Sequence, residues 1–244
     1  MRILVISLAL TTIAAEATHH WSYSGKTGPT HWAELDEQFK ACGAGKSQSP
    51  VDIRSANARG EALPPLEFNY TSGPLHVVDN GHTIQVNVDP GSYLTVAGQR
   101  YDLVQFHFHH PGENQVDGKN ADMEAHLVHR NAKGRLAVVA VMLRTGRENT
   151  MVESVWRDLP TEKEHEASPA NVRINPVELV PTAHGYFTLT GSLTTPPCTE
   201  GVRWIVMKEP LTLSSREIAT FAARYANDAR PIQQLNGREI LVTK

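Results

Sequence analysis

Short apolar runs, some alternating with polar residues and some continuous, recur along the chain between turn-forming groups such as Asn80-Gly81, Asp117-Gly118 and Lys133-Gly134. These runs are rich in Val, Ile, Tyr and Phe, which are residues that favour strands. The predicted strands are residues 82–88, 93–96, 101–109, 123–129, 136–144 and 202–207. The pattern therefore predicts a protein built around a β-sheet.

Helical patterning is sparse. Residues 214–226 begin with Ser214 and Glu217 in the spacing of a capping box, and residues 150–159 form a shorter periodic stretch that Pro160 ends. Residues 42–66 and 162–181 are interrupted by Pro and Gly, which favours irregular surface segments. With 244 residues and no linker or repeat, we expect one mainly β (α+β) domain with a few short peripheral helices.

The N-terminus has the pattern of a secretory signal peptide. Arg2 precedes an apolar run at residues 3–15, and Ala15-Glu16-Ala17 matches the small-x-small cleavage rule. A membrane anchor or a first core helix is the alternative, but the run is too short to span a bilayer. We predict a signal peptide at residues 1–17, a domain at residues 18–244, and a soluble product secreted to the periplasm or the outside of the cell.

An oxidising compartment gives the two cysteines a structural interpretation. Cys42 and Cys198 are the only cysteines, so they form the only intrachain disulfide available, with two buried free thiols as the alternative. Charge then excludes one class of partner, because a net charge of -3 offers no basic surface to nucleic acid. The twelve histidines indicate that any metal site uses mainly imidazole ligands.

Two predicted strands place histidines together. In Gln105-Phe106-His107-Phe108-His109, side chains of alternate residues share a face, so both imidazoles and Gln105 point to one side. The same alternation groups Glu124 with His126, and the two runs are close enough in sequence to be antiparallel neighbours. Three histidines on rigid strands suit a catalytic Zn²⁺ with one open position, and Gln105 and Glu124 are spaced to hold the ligand rings.

Two other interpretations remain open from the residues alone. His107, His109 and Glu113 also have the spacing of a cupin metal motif, in which Glu113 is itself a ligand of an oxygenase or a sugar-binding module. A histidine-rich protein that carries metal without catalysis is the third class. Metal identity, and whether Glu113 contacts the metal, would discriminate among them.

The chain also resembles the α-class carbonic anhydrases, and the secreted bacterial branch in particular. The motifs that carry this resemblance are His20-Trp21-Ser22-Tyr23, Gly28-Pro29, His31-Trp32, Gln48-Ser49-Pro50-Val51-Asp52-Ile53, Asn80-Gly81-His82, residues 105–109, residues 124–129, residues 191–200 and Arg230-Pro231-Ile232-Gln233. The resemblance implies a large, twisted, mostly antiparallel sheet with zinc at the base of a cleft. It also implies reversible hydration of CO₂ to bicarbonate and a proton by zinc-bound hydroxide.

The resemblance assigns roles residue by residue. His107, His109 and His126 become the zinc ligands, with Gln105 and Glu124 behind them. Thr194 accepts the hydroxide proton and donates its own hydroxyl hydrogen to Glu113, which is then not a ligand. The implied substrate residues are Thr195, which helps to hold bicarbonate, and an apolar wall for CO₂ made of Val128, Val138, Leu193, Val202 and Trp204.

The remaining implied role is proton transfer. His82 is the expected proton shuttle, and Tyr23, Asn80 and Gln85 are expected to order the intervening water, although many animal members have Asn where this chain has Gln85. We further expect inhibition by sulfonamides and small anions, and a monomer or homodimer. After cleavage, Thr18-His19-His20 would also have the pattern of a Cu(II) or Ni(II) site, unless His20 packs onto the domain.

Overall fold

The computed structural model describes residues 20–244. The predicted signal peptide lies outside the described residues, as do Thr18 and His19 of the predicted copper pattern. The strands in chain order are β1 Asp52–Ile53, β2 Arg59–Glu61, β3 Leu66–Asn69, β4 Gly73–Pro74, β5 His76–Asp79, β6 Ile84–Asn87, β7 Tyr93–Val96, β8 Gln99–His109, β9 Gln115–Val116, β10 Lys119–Asn120, β11 Met123–Arg130, β12 Leu136–Thr145, β13 His165–Ala167, β14 Arg173–Ile174, β15 Tyr186–Ser192, β16 Glu200–Met207, β17 Leu211–Leu213 and β18 Leu241–Thr243.

One sheet dominates the part of the chain that the structure describes. Ten of its thirteen strands follow the path β13-β5-β6-β8-β11-β12-β16-β15-β18-β2. The other three lie off this path, where β7 pairs with β8, β3 pairs with β7 and β17 pairs with β12. Most neighbours are antiparallel, while β12 is parallel to β16 and β17, and β18 is parallel to β2. The predicted mainly β fold with a large mixed sheet is confirmed.

The central strand β12 explains why its sequence is continuously apolar. Ala137, Val139, Val141 and Leu143 face one apolar cluster, and Val138, Ala140 and Met142 face a second cluster on the other side of the sheet. A strand that is covered on both faces has no polar side to present. Strands β8 and β11 are different, because one face carries apolar side chains such as Phe106 and Phe108 while the other is mainly polar, with Val128 packed against the second cluster.

The helices lie at the periphery, as predicted. They are α1 Trp32–Leu35, α2 Ala41–Ala44, α3 Thr150–Arg157 and α4 Ser215–Ala222, with 3₁₀ turns at Gly25–Thr27, Glu37–Phe39, Ser55–Asn57 and Pro176–Leu179. The capping box of Ser214 and Glu217 is present at the start of α4. Helix α4 ends at Ala222, before the predicted end at residue 226, and the side chains of Arg224 and Tyr225 just beyond it bind Asp79.

The structure contains strands that the sequence pattern did not predict. They are β3, β4, β5, β9, β10, β15, β17 and β18, and the segments expected to be irregular contain the short strands β1, β2, β13 and β14. The predicted disulfide between Cys42 and Cys198 is present and packs against Trp32 in a third apolar cluster. Within residues 20–244, no helix is both long and apolar enough to cross a membrane.

Candidate active site

Three imidazoles meet on the sheet face opposite the larger apolar cluster. The β8 residue His107 lies directly across from His126 on β11, and the next pair on the same face of the sheet, two positions along, is His109 with Glu124. The ring centroids are 5.3 Å apart for His107 and His126 and 4.6 Å apart for His109 and His126. The three candidate ligand atoms lie within 4.8 Å of one another, and this is the only such group found in residues 20–244.

Each of these rings has one nitrogen held by an oxygen that can only accept. His107 Nδ1 donates to Gln105 Oε1 at 2.8 Å, and His109 Nδ1 donates to the Asp228 backbone carbonyl at 2.9 Å. His126 Nε2 donates to Glu124 Oε1 at 3.0 Å. The lone pairs are therefore left on His107 Nε2, His109 Nε2 and His126 Nδ1, which is the tautomer set that a shared metal ion requires.

Burial keeps the imidazoles of His107 and His126 neutral. Burial, with a contribution from His109 and His126, holds the pKa of His107 well below its usual range. Burial also holds the pKa of His126 well below its usual range, with His109 adding to the effect. Both rings are consequently ready to donate lone pairs at neutral pH without first losing a proton.

Glu113 lies beside the imidazoles but is held by another segment. Its Oε1 accepts the Arg230 backbone N–H at 2.8 Å, and its Oε2 is 3.6 Å from His109 Nε2 and 4.0 Å from His126 Nδ1. Burial raises the pKa of Glu113 to about 8, against the opposing effects of the Arg230 N–H and the Thr194 hydroxyl. A divalent cation beside it would favour the ionised carboxylate and lower this pKa again.

The hydrogen-bonding pattern of this site fits a bound cation. Among the described residues, three buried side-chain atoms have no hydrogen-bond partner, namely His109 Nε2, Glu113 Oε2 and Asp228 Oδ2. All three belong to this site. Since buried polar atoms are nearly always paired, a metal ion bound by the imidazoles would supply the interaction that His109 Nε2 lacks and offset the two carboxylates.

Two residues behind the ligands were missed from the sequence. Asn114 donates to both Glu124 oxygens at 2.7 Å through its backbone and side chain, which fixes the carboxylate that holds His126. Asp228 holds His109 by its carbonyl, and its Oδ1 accepts the His110 N–H at 2.7 Å. Burial raises the pKa of Asp228 to about 7. In the sequence, Asn114 directly follows Glu113 and Asp228 lies two residues before Arg230, and no other signal marked them.

The segment after β15 carries the two threonines. Thr194 is buried, and Thr195 lines the cleft above the imidazoles. The Thr195 carbonyl accepts the Cys198 N–H at 2.8 Å, and the disulfide connects Cys198 to Cys42 in the segment before β1. The loop that carries both threonines is therefore closed by a hydrogen bond and tied covalently to a distant part of the chain.

The predicted wall residues lie in one apolar cluster. Val138, Val202 and Trp204 are buried in it, and the partly buried Val128 and Leu193 pack against it. The Trp204 ring centroid is 4.9 Å from that of His126, which brings the cluster to the imidazoles. The arrangement provides an apolar surface beside a polar centre.

A narrow cleft of 120 Å³ leads from the surface to His107 and His109. The predicted shuttle and water-ordering residues line it, namely Tyr23, Asn80, His82 and Gln85. Asn80 uses its side-chain oxygen to accept the N–H groups of His82 and Thr83, at 3.0 and 2.9 Å. Gln85 donates a hydrogen bond to Asn87. The side-chain amides of Asn80 and Gln85 are therefore both partly occupied by hydrogen bonds within the protein.

The ring of His82 stacks on Trp21 at the wall of this cleft and has His20 beside it at a centroid distance of 6.1 Å. Burial lowers the pKa of His82, with a smaller lowering contribution from His20. Burial raises the pKa of Tyr23 well above its usual value, and Glu113 adds to this effect. Tyr23 therefore keeps its hydroxyl proton at neutral pH.

The comparisons with known proteins all point to the same protein family. The model of eukaryotic-type carbonic anhydrases matches residues 27–244. A carbonic anhydrase of Klebsiella pneumoniae is 43% identical over 242 residues, covering 98% of this chain and 96% of that protein. One from Nostoc sp. is 41% identical over 238 residues, covering 96% and 90% of the respective chains.

A solved structure agrees with these relatives. The α-carbonic anhydrase of Thermovibrio ammonificans, in complex with the inhibitor sulfanilamide, superimposes with a TM-score of 0.89 at 43% identity. The match covers 93% of this chain and all of that one. A cupin jelly roll is thereby excluded. The chain belongs to the eukaryotic-type, or α-class, carbonic anhydrase family of enzymes.

Proposed function

We propose that this enzyme hydrates CO₂ reversibly to bicarbonate and a proton, with zinc held by His107, His109 and His126. The observation that carries the proposal is the convergence of three lone-pair nitrogens whose opposite ring nitrogens are already held by Gln105, Glu124 and the Asp228 carbonyl. Three neutral protein ligands leave one tetrahedral position open, which is the form of a catalytic zinc site.

When bound, zinc acts as a Lewis acid that lowers the pKa of a coordinated water to about 7. The three neutral imidazole ligands leave the positive charge of the zinc ion largely uncompensated. The protein residues determine how the resulting nucleophile is used. Glu124, fixed by Asn114, keeps the His126 ring in its ligating orientation, and Gln105 does the same for His107. Acceptors behind ligating imidazoles also increase their basicity.

Thr194 and Glu113 orient the attacking oxygen. An ionised carboxylate can only accept, so Thr194 must donate its single hydroxyl hydrogen to Glu113, whose Oε1 also accepts the Arg230 N–H. The Thr194 oxygen is then an acceptor for the proton of the attacking oxygen, whose lone pair is directed at the substrate. Because the nucleophile is already oriented, the entropic cost of orienting it is not added to the reaction barrier.

The apolar cluster provides the place for the substrate. CO₂ carries no net charge and gains from an apolar surface, which Val128, Val138 and Trp204 supply beside His126. Bicarbonate is an anion and is less compatible with that surface. Thr195, at the edge of the cleft, offers a hydroxyl to the product instead.

His82 transfers the proton that hydration leaves behind. It shares the cleft with His107 and has a polar path between them formed by Tyr23, Asn80 and Gln85. An imidazole accepts and releases protons near neutral pH, which makes it suited to pass protons to external buffer. The stacking on Trp21 holds the ring at the cleft wall.

The same account extends to location and inhibitors. A disulfide persists in oxidising compartments, which supports secretion to the periplasm or beyond. The Thermovibrio relative binds sulfanilamide, and the same open metal position here would accept an aromatic sulfonamide anion. A stopped-flow pH-indicator assay with and without sulfanilamide tests the proposal. We expect rapid hydration that sulfanilamide abolishes; slow hydration insensitive to the sulfonamide would indicate a metal carrier.

A further inference from the structure

The turn that carries His82 is attached to the protein by a buried carboxylate. Asp79, at the end of β5, is fully buried, and its Oδ1 accepts the backbone N–H of Gly81 at 3.2 Å. The next residue, Asn80, accepts the N–H of His82. Two consecutive side chains therefore hold two consecutive backbone N–H groups of the same turn.

The carboxylate is anchored on its other side by the residues that follow α4. The Tyr225 hydroxyl donates to Asp79 Oδ1, and Arg224 Nη1 donates to Asp79 Oδ2 at 3.0 Å. A buried carboxylate is costly to desolvate, whereas an Asn-Gly hairpin turn closes without one. The charged anchor thus provides something beyond turn formation.

What it provides is a connection to the metal centre. Three residues after Tyr225, the carbonyl of Asp228 holds His109, and the Asp228 carboxylate accepts the His110 N–H. The Ala226 carbonyl in the same segment accepts from His110 Nδ1 at 2.9 Å. Segment 224–228 therefore contacts both the turn of His82 and the strand end that carries a zinc ligand.

We propose that Asp79 is a positioning residue for proton transfer, because it ties the turn of His82 to segment 224–228 and so fixes where His82 stands relative to the metal. This inference rests on the proposed shuttle role of His82. The other groups near the ring are Trp21, His20, Lys163 and Glu164, and Lys163 Nζ itself lies 4.6 Å from the Tyr225 ring centroid. Displacing the turn would alter the imidazole's position among all of them.

The test compares Asp79→Ala, Asp79→Asn and His82→Ala in CO₂ hydration by the zinc-loaded enzyme in weak buffer. We expect Asp79→Ala to lower kcat by about three- to tenfold while kcat/KM stays within about twofold, since only the proton-transfer step is affected. Asp79→Asn retains an oxygen for Gly81 and Tyr225 but loses the acceptor for Arg224, so its kcat should lie between those of Asp79→Ala and the parent enzyme. In the His82→Ala background, Asp79→Ala should cause no further loss.

Tyr225→Phe is a milder variant that breaks one anchor, and Tyr186→Phe is its matched control, because the Tyr186 hydroxyl bonds to Pro64 away from the cleft. Tyr225→Phe should lower kcat and Tyr186→Phe should not, and this pair decides the question if Asp79→Ala does not fold. Normal kcat in the Asp79 and Tyr225 variants, with His82→Ala impaired, would overturn the inference alone. An unimpaired His82→Ala would instead overturn the shuttle on which it rests.

Discussion

His82 stacks face to face on Trp21, with ring centroids 3.6 Å apart and planes 7° from parallel. This contact removes one face of the imidazole from water, and burial is the main cause of its lowered pKa. A shuttle must be neutral to accept a proton, so kcat for hydration should rise with pH through the pKa of His82. The stacking therefore predicts a kcat midpoint below 6.5, the ordinary pKa of histidine.

The kinetics of His82→Ala should separate proton transfer from catalysis at the metal. We expect kcat in weak buffer to fall by about tenfold or more, with kcat/KM nearly unchanged and with small imidazole buffers restoring the rate. Replacement of the exposed His31 is the matched control and should leave the pH profile of kcat intact. Equal falls in kcat and kcat/KM would contradict a shuttle.

Thr194→Ala should remove the orienting acceptor while leaving the ligands in place. The expected loss in kcat/KM corresponds to about 2–4 kcal/mol of transition-state stabilisation, as for the loss of one preorganised hydrogen bond. Thr194→Ser keeps a hydroxyl beside Glu113 and should retain most of the activity. Zinc content by mass spectrometry should be one per chain in both variants. Unchanged kinetics of Thr194→Ala would exclude this role.

The disulfide should contribute both to stability and to the order of the threonine loop. Cys42 and Cys198 are 156 residues apart. By removing conformational entropy from the unfolded chain, a disulfide that closes a loop of this length stabilises the folded state by about 5 kcal/mol. The double variant Cys42→Ser/Cys198→Ser should therefore have a free energy of unfolding lower by about 2–5 kcal/mol in urea. At moderate temperature it should also have lower kcat/KM, and full activity there would separate the disulfide from catalysis.

A buried histidine outside the cleft should make the fold sensitive to acid. His129 Nδ1 donates to the Ala137 carbonyl at 3.3 Å, so its Nε2 accepts the Tyr70 hydroxyl at 2.6 Å. Burial lowers the pKa of His129 to about 4. Above pH 6.5 the ring is neutral in both the folded and the unfolded chain and costs no stability. Between pH 6.5 and 4 the unfolded chain takes up a proton that the folded chain does not, so stability falls as the pH falls.

This single group should cost up to about 3 kcal/mol by pH 4. Urea unfolding over that pH range measures it. His129→Gln should reduce the pH dependence of the unfolding free energy by about one proton, whatever its absolute stability. Tyr70→Phe removes the hydrogen bond but keeps the titrating ring, and it should retain the dependence. An identical slope in His129→Gln and the parent protein would contradict the assignment.

Residue alternation was sufficient to predict the parts of the site that lie on adjacent strands. His107 and His126 face each other because strand periodicity and short-range antiparallel pairing are both readable in the sequence. Contacts between distant segments were not readable in this way. Asp228 meets His109 across 119 positions, and the anchor between Arg224 and Asp79 spans 145, and no local pattern encodes such pairings.

The roles of single polar residues were the least readable. From propensity alone, Thr194 belongs to a turn before two prolines and His82 to the end of an Asn-Gly turn, and only family resemblance distinguished them. The strand β15 was missed because Tyr186–Ser192 contains a glycine and three polar side chains, and its register is set by pairing with β16 and β18. Its place in the sheet is a tertiary effect.

The most direct test of the central claim is a zinc titration of the metal-free enzyme, following CO₂ hydration at each step. Hydration should rise in proportion to bound zinc and stop rising at one zinc per chain, and His126→Ala should bind zinc weakly and remain inactive. A folded chain that holds one zinc on these three histidines and does not hydrate CO₂ would contradict the account.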